Sequence, residues 1–240
     1  MYADGFLNKG YALVPNVCCG ARCAEICNGI QNGTSLSGGT RSLLEEDWCG
    51  ALARELMGHP RIACYLPTNH VAVQCTYFEK SAERNWLVPV HQDLSIAVQA
   101  RTDAQGYSGW STKQDMVFVQ PPLEVLQSLV AVRLHLDACG PQDGPLHVIA
   151  GTHRRGLIGP VEAARLRQET SADTCAVAAG AAMVMKPLLL HASSKATGSS
   201  RRRVLHFVFG PPELPSGVRW HHTVCQSSQA VTELAIAASA

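Results

Sequence analysis

Two groups of polar residues in this chain combine the side chains that bind metal ions. The first group is His91 and Asp93, in the apolar segment LVPVHQDLSI, and the second is His191 with an arginine cluster at 201–203. Two imidazoles and one carboxylate are the ligands of facial iron(II) sites that leave coordination positions open. An arginine beyond the last ligand could hold the carboxylate of an acidic co-substrate. The pattern predicts a metal centre with room for a second, anionic molecule.

A histidine two residues from an aspartate is a weak signal by itself, because a surface histidine beside a solvated aspartate gives the same pattern. Three observations strengthen it. His91 and Asp93 lie within an apolar run, His191 follows the apolar segment Met183–Leu190, and Arg202 comes eleven residues after His191 (191 to 202). Buried charges are costly unless they are paired or bound to a metal, and ligation would satisfy all of these groups together.

The elements that must position these residues are mostly short strands. Helical periodicity is present near Ala21–Ile30, Trp48–Met57 and Val161–Glu169. Extended segments are predicted at Val71–Phe78, Leu87–Ile96, Leu129–Leu136, Leu146–Ile149, Met183–Leu190 and Val204–Phe209, and a loop is predicted at 107–110. Short strands with Gly/Pro turns, preceded by helices, favour a sandwich or jelly roll. The predicted fold class is mainly β with flanking helices.

Strand parity predicts which side chains share a face. Because residues i and i+2 of a strand point the same way, His91 and Asp93 should lie on one side of their strand and Gln92 on the other. In the segment 129–137, Arg133 and His135 share a polar face opposite an apolar one. That strand is either half exposed or lines a polar cavity, and we favour the cavity.

Composition excludes several classes of protein. The 240 residues are 46% apolar and 16% charged, which is typical of a globular domain. The net charge of +1 gives no basic surface for nucleic acid, and no apolar stretch is long enough to span a membrane. The first residues do not resemble a secretory signal, so a cytoplasmic location is expected.

The ten cysteines are expected to stay reduced in that location. Their spacing does not match the usual zinc patterns. Cys19, Cys23 and Cys27 recur every four residues, which places them on one stripe of a helix. We interpret them as small buried apolar side chains.

At these residues the chain resembles the phytanoyl-CoA dioxygenase family of iron(II)/2-oxoglutarate oxygenases. The resemblance runs from about Val71 to Phe209 and includes HQD at 91–93, AVRLHLD at 131–137 and GPQDGPLHVIAGTHRRG at 140–156. The resemblance also includes His191 with the serines that follow it and the arginines at 201–203. Ala150 stands where the family usually has proline, which affects only the local loop geometry.

The resemblance implies a double-stranded β-helix with iron(II) held by His91, Asp93 and His191. The co-substrate 2-oxoglutarate would chelate the metal, and its distal carboxylate would be held by Arg202, with Arg201 and Arg203 facing away. Ser193, on the same face as His191, could add a hydroxyl contact to the co-substrate. Residues 1–240 would form one oxygenase domain, with a helical part at about 1–60 and a β-helix core at about 71–210.

The implied reaction uses O2 to oxidise an unactivated C–H bond of a small molecule, such as an amino acid, an acyl compound or a natural-product intermediate. Hydroxylation is the expected outcome, with desaturation and ring closure as variants. A carboxylate at position 93 argues against halogenation, since related halogenases have Gly or Ala there. Candidate substrate contacts are Gln74, Thr76, Trp110 and Arg133.

The alternative is a non-oxidising cupin-like metal-binding isomerase or binding protein, which has no need of an arginine at position 202. The sequence leaves open the primary substrate and the oligomeric state.

Overall fold

The computed structural model describes residues 2–33, 40–81, 84–198 and 201–226. The strands are β1 (Tyr11–Val14), β2 (Val71–Lys80), β3 (Val88–His91), β4 (Ile96–Val98), β5 (Ser108–Lys113), β6 (Met116–Gln120), β7 (Val130–His135), β8 (Leu146–Val148), β9 (Asp173–Cys175), β10 (Ala182–Met185), β11 (His191–Ser193) and β12 (Arg202–Gly210). The helices are α1 (Tyr2–Lys9), α2 (Gly20–Gly33), α3 (Asp47–Gly58), α4 (Pro60–Ala63), α5 (Leu123–Ser128) and α6 (Pro160–Glu169).

Two antiparallel sheets face each other across the interior. The large sheet has the strand order β1-β10-β7-β12-β2, and the small sheet has the order β3-β11-β8-β9. A third, three-stranded sheet has the order β4-β6-β5. Met183 and Met185 of the large sheet pack in one buried cluster with Leu146 and Val148 of the small sheet. The fold is a jelly roll with flanking helices, which confirms the predicted class.

The outer face of the large sheet is covered by helices. Alternation along β7 sends Val132 and Leu134 into a core with α2 and α3, while Arg133 points to the interior side. Helix α3 presents Leu52 and Leu56 to this core. No helix of the described residues is long and apolar enough to cross a membrane.

Two predicted strands are wrong in extent, and both corrections concern the candidate site. The segment Met183–Leu190 is extended only to Met185, because the backbone turns at Lys186 and Pro187, and His191 begins a new strand in the other sheet. Proline has no N–H to continue a sheet ladder. The segment Leu87–Ile96 is likewise divided into β3 and β4, so that Asp93 lies in the connection between them.

Two smaller predictions also need correction. The segment 107–110, predicted to be a loop, contains the start of β5 at Ser108, which pairs with β6 through an irregular register. Cys23 and Cys27 are buried in the helix core as expected, but Cys19 is exposed at the start of its helix.

Candidate metal centre and active-site cavity

Three side chains with metal-binding atoms converge where β3 and β11 pair. His91 ends β3, His191 begins β11, and the two residues are direct partners in the antiparallel register. Their ring centroids are 4.2 Å apart. Asp93 lies two residues beyond β3, where its backbone N–H donates to Pro187 O at 2.9 Å. The turn that interrupts the predicted strand therefore also fixes the carboxylate.

The three groups point their ligand atoms at one another. Asp93 Oδ1 lies 3.5 Å from His91 Nε2, and Asp93 Oδ2 lies 3.7 Å from His191 Nε2. One ligand atom from each residue lies within 4.8 Å of the other two. Two imidazole nitrogens and a carboxylate oxygen at these separations can hold one ion and leave its other coordination positions open.

Hydrogen bonds behind the rings fix which nitrogen can bind a metal. His91 Nδ1 lies 2.9 Å from Pro89 O, and His191 Nδ1 lies 2.9 Å from Leu189 O. A carbonyl can only accept, so each Nδ1 donates its proton there, and Nε2 is the ring nitrogen that faces Asp93 and could bind a metal. Burial lowers the pKa of His191, which keeps this imidazole neutral. The donor set therefore fits an iron(II) ion.

The charge on Asp93 is favoured by its neighbours. Burial by itself raises the pKa of this carboxyl, but His191, the hydrogen bond to His91 and the nearby His206 together hold the pKa well below its usual range. Asp93 is thus ionised at neutral pH and available as an anionic ligand.

The connection that carries Asp93 is braced by the residue before it. The Gln92 amide donates to Gly156 O at 2.9 Å and to Leu188 O at 2.6 Å, and its oxygen accepts from the Ile158 backbone N–H at 2.8 Å. Gln92 thus ties its own segment to two distant ones, at 156–158 and at Leu188, immediately between the two proposed ligands. A rigid backbone at this point preserves the positions of His91 and Asp93.

The three groups open into a cavity of about 330 Å³ between the sheets. Five further residues predicted for the site also line it, namely Gln74, Thr76, Arg133, Ser193 and Arg202. Arg202 is only 4% exposed and its Nε has no hydrogen-bond partner among the described residues. A buried guanidinium of this kind is ready to receive an anion.

A second buried cation lies beside Arg202. Lys80 is its direct partner in the β2–β12 register and is 1% exposed. Lys80 Nζ donates to Ser193 Oγ at 2.6 Å and to Ser194 O at 2.7 Å, while Ser193 Oγ donates to Gly144 O at 2.9 Å. The Arg202 guanidinium donates to the same Gly144 carbonyl. The two cations and one hydroxyl form a single polar cluster.

Gly144 is needed for this cluster to close. Its φ is +65°, and a Cβ at this position would lie 2.6 Å from Ser194 O and 3.2 Å from Lys80 Nζ. Only glycine allows both the left-handed backbone and the close approach.

Comparison with known proteins identifies the family. The family model "Phytanoyl-CoA dioxygenase (PhyH)" matches residues 6–204. This chain belongs to the phytanoyl-CoA dioxygenase family. No curated protein sequence matches it significantly.

Solved structures with the same fold include enzymes of natural-product biosynthesis. The non-heme alpha ketoglutarate dependent carbocyclase SnoK from nogalamycin biosynthesis is 12% identical, with a TM-score of 0.64 over 98% of this chain and 89% of SnoK. The corresponding epimerase SnoN is 17% identical, with a TM-score of 0.64 over 90% of this chain and 83% of SnoN. HygX from Streptomyces hygroscopicus, solved with nickel and 2-oxoglutarate bound, is 13% identical, with a TM-score of 0.59 over 86% and 84% of the two chains.

Two residues of this family member escaped the sequence analysis. Lys80 was missed because the predicted strand stopped at Phe78, although Lys80 continues the i, i+2 face of Gln74 and Thr76. His206 was not among the predicted site residues. It is buried, but it lines the cavity, and its Nε2 lies 3.8 Å from Asp93 Oδ2. The sequence did carry a signal for this, because His206 lies four residues beyond Arg202 and so shares its strand face.

The arginine cluster divides as parity predicts, but its outer members are ion-paired rather than simply solvated. Arg201 donates to Glu79 Oε1 at 2.6 Å, and Arg203 forms two contacts with the Asp137 carboxylate at 2.7 and 2.8 Å. Arg202 alone of the three lines the cavity.

Trp110 was predicted to contact the substrate, but it lies outside the cavity. It is not among the residues that line the cavity. Its ring stacks on Tyr107 at 6.5 Å, with the Arg101 guanidinium 6.0 Å from its centroid. The reason is that Trp110 belongs to β5 of the third sheet and packs against a buried cluster that this sheet forms with β2 and α5.

Proposed function

We propose that this chain is an iron(II)- and 2-oxoglutarate-dependent dioxygenase that oxidises a C–H bond of a small molecule. The observation that carries the proposal is one cavity with the donor set His91, Asp93 and His191 and, in its wall, the buried cations Arg202 and Lys80. Membership of the phytanoyl-CoA dioxygenase family supports the same function.

The proposed roles follow from the chemistry of each group. Bound iron supplies the activation of O2 that couples decarboxylation of 2-oxoglutarate to oxidation of the substrate. His91, Asp93 and His191 would hold the metal, and all three line the cavity from which the substrates would reach it. Arg202 and Lys80 bind the distal carboxylate of 2-oxoglutarate, and Ser193 orients the lysine ammonium by accepting its hydrogen bond.

The buried pair Arg202 and Lys80 also distinguishes a 2-oxoglutarate-dependent oxygenase from the cupin-like alternative. A non-oxidising cupin-like protein needs the metal ligands but has no use for a buried Arg202 and Lys80 in the same cavity. Two buried cations side by side repel each other unless an anion neutralises them. The distal carboxylate of a dicarboxylic co-substrate would reduce this repulsion.

The proposal extends to the remaining predictions from sequence. We propose that residues 1–240 act as one oxygenase domain, which is supported by the shared core of α2, α3 and the large sheet. A small-molecule substrate is supported by the reactions named for SnoK and SnoN. The cytoplasmic location stays a prediction.

Anaerobic titration tests the function without knowledge of the substrate. Iron(II) and then 2-oxoglutarate are added to the protein, and the weak visible charge-transfer band of the metal chelate is recorded. We expect the band to saturate at one equivalent of each, and succinate to form when air is admitted. A protein that binds iron but gives neither the band nor succinate would favour the cupin-like alternative.

The affinity for 2-oxoglutarate is expected to depend on pH through the protonation state of Lys80. Burial, with contributions from Arg202 and Arg133, lowers the pKa of Lys80 to about 8. The charged form binds a carboxylate, so the dissociation constant for 2-oxoglutarate should rise about tenfold between pH 7 and pH 9 as Lys80 loses its proton. In Lys80→Met this constant should be raised about tenfold at pH 7 and become nearly independent of pH. The measurement is the charge-transfer titration at several pH values.

Lys113→Met is the matched control, since Lys113 also lines the cavity but is exposed. It should keep both the affinity and the pH dependence of the unaltered protein. An unchanged pH profile in Lys80→Met would remove Lys80 from the co-substrate site.

A further inference from the structure

Arg133 is a third buried cation in the cavity, and the proposed function does not use it. It lies on the central strand β7 and is 6% exposed. Its Nη1 donates to His206 Nδ1 at 3.0 Å, and its guanidinium carbon lies 5.4 Å from the Phe78 ring centroid. Its Nε is buried and has no hydrogen-bond partner among the described residues. Among the described residues, no carboxylate forms an ion pair with this guanidinium.

The described lining of the cavity is unbalanced in charge. It includes three buried cations, Lys80, Arg133 and Arg202, while Asp93 is its one acidic residue. Iron(II), Asp93 and dianionic 2-oxoglutarate together carry about one negative charge, so two of the three cations stay uncompensated even in the loaded enzyme. Burial and the neighbouring Arg202 lower the pKa of Arg133 to about 10, which still leaves it charged at neutral pH. Uncompensated buried charge is unfavourable, and a further anion would relieve it.

Polar side chains on the two neighbouring strands lie in line with Arg133 across the large sheet. His206 on β12 is the direct register partner both of Arg133 on β7 and of Thr76 on β2. Gln74 Nε2 donates to Thr76 Oγ1 at 3.1 Å, which leaves the Thr76 hydroxyl free to donate to another acceptor. Arg133 and Thr76 thus offer donors on either side of His206, within the same cavity as the metal ligands.

We propose that Arg133 binds an oxyanion of the primary substrate, so that the substrate is an organic acid or a phosphate ester. This inference rests on the proposed function and names the substrate class for the same site. Arg202 and Lys80 serve the co-substrate, and Arg133 serves the substrate. His206, which Arg133 contacts, has its Nε2 3.8 Å from Asp93 Oδ2. The acidic group should therefore lie within a few bonds of the oxidised carbon.

The test compares matched probes on the protein loaded with iron(II) and 2-oxoglutarate under anaerobic conditions. The probes are hexanoate, hexyl phosphate and the neutral hexanamide. Perturbation of the charge-transfer band gives a dissociation constant for each probe, and succinate release in air gives a second readout. We expect an anionic probe to perturb the band and hexanamide to have no effect. Carboxylate and phosphate sources are distinguished by which of the two anions binds more tightly.

Arg133→Gln should weaken binding of the anionic probe at least about tenfold, as expected for loss of a charged hydrogen bond. The dissociation constant of 2-oxoglutarate, measured before any probe is added, should stay within about twofold of its original value. Arg133→Lys should restore part of the anion binding because it keeps the charge. Arg154→Gln, a change at an exposed arginine, should behave like the unaltered protein.

Any one of four results would overturn the inference. Equal binding of hexanoate and hexanamide, or no binding of any probe, would do so in the unaltered protein, whether or not the variants fold. A large loss of 2-oxoglutarate affinity in Arg133→Gln would assign Arg133 to the co-substrate instead. Absence of the charge-transfer band before probes are added would instead refute the proposed function, and the inference with it.

Discussion

Asp93→Ala is expected to abolish iron-dependent succinate formation while the protein stays folded. In the proposed site the carboxylate is the one anionic ligand, and it lies 3.5 Å from His91 Nε2 and 3.7 Å from His191 Nε2. Its removal leaves two neutral imidazoles, which bind iron(II) weakly. The loss of metal affinity should exceed the roughly 10–100-fold that follows from loss of an outer hydrogen-bond partner. Metal affinity by calorimetry, the chelate band and succinate release measure the effect.

His91→Ala is expected to give the same loss, since His91 is a proposed ligand of the same ion. Asp103→Ala, a change at an exposed aspartate, is the matched control and should retain metal binding and turnover. Thermal unfolding shows whether each variant is folded. Retained succinate formation in folded Asp93→Ala or His91→Ala would contradict the assignment of the metal site.

Arg202→Ala is expected to raise the requirement for 2-oxoglutarate by about 100-fold. The guanidinium is buried in the cavity wall, and a charge-assisted pair of hydrogen bonds to a carboxylate is among the stronger polar interactions in proteins. Metal affinity should change little, since Arg202 is not a ligand. The dissociation constant from the anaerobic titration and the apparent KM for 2-oxoglutarate measure the effect.

Arg201→Ala is the control that the chain itself offers. Arg201 adjoins Arg202 in sequence, but it pairs with Glu79 and does not line the cavity. Its loss should leave the requirement for 2-oxoglutarate unchanged. Arg202→Lys, which keeps a charge, should show an intermediate requirement for 2-oxoglutarate. It also provides a test of the assignment if the alanine variant does not fold. A raised requirement in Arg201→Ala together with a normal one in Arg202→Ala would reverse the assignment.

Several features of the site could be read from local sequence. The β-branched and aromatic run at Val71–Phe78 forms β2, and alternation along β12 separates buried Arg202 from the ion-paired Arg201 and Arg203. These predictions succeed because side chains of a strand alternate between two faces whatever the partner strand is. The order of the histidines, the aspartate and the arginine was likewise sufficient to indicate the family, which the family model matches over residues 6–204.

Other features depended on contacts between distant segments. Lys80 reaches Ser193 across 113 positions of the chain, and Gln92 binds Gly156 and Leu188 at separations of 64 and 96. No local pattern carries such information, because the register of antiparallel strands decides which residues become neighbours. The position of Trp110 in a separate sheet has the same origin.

The sequence by itself determined the residue types of the metal centre, the faces of its long strands and the family. Only the tertiary structure decided that the segment after Met185 turns and crosses to the other sheet, which brings His191 opposite His91. It also decided that three cations share one wall of the cavity. The physical reason is that periodicity fixes the direction of a side chain within its own strand, whereas pairing between sheets fixes what that side chain meets.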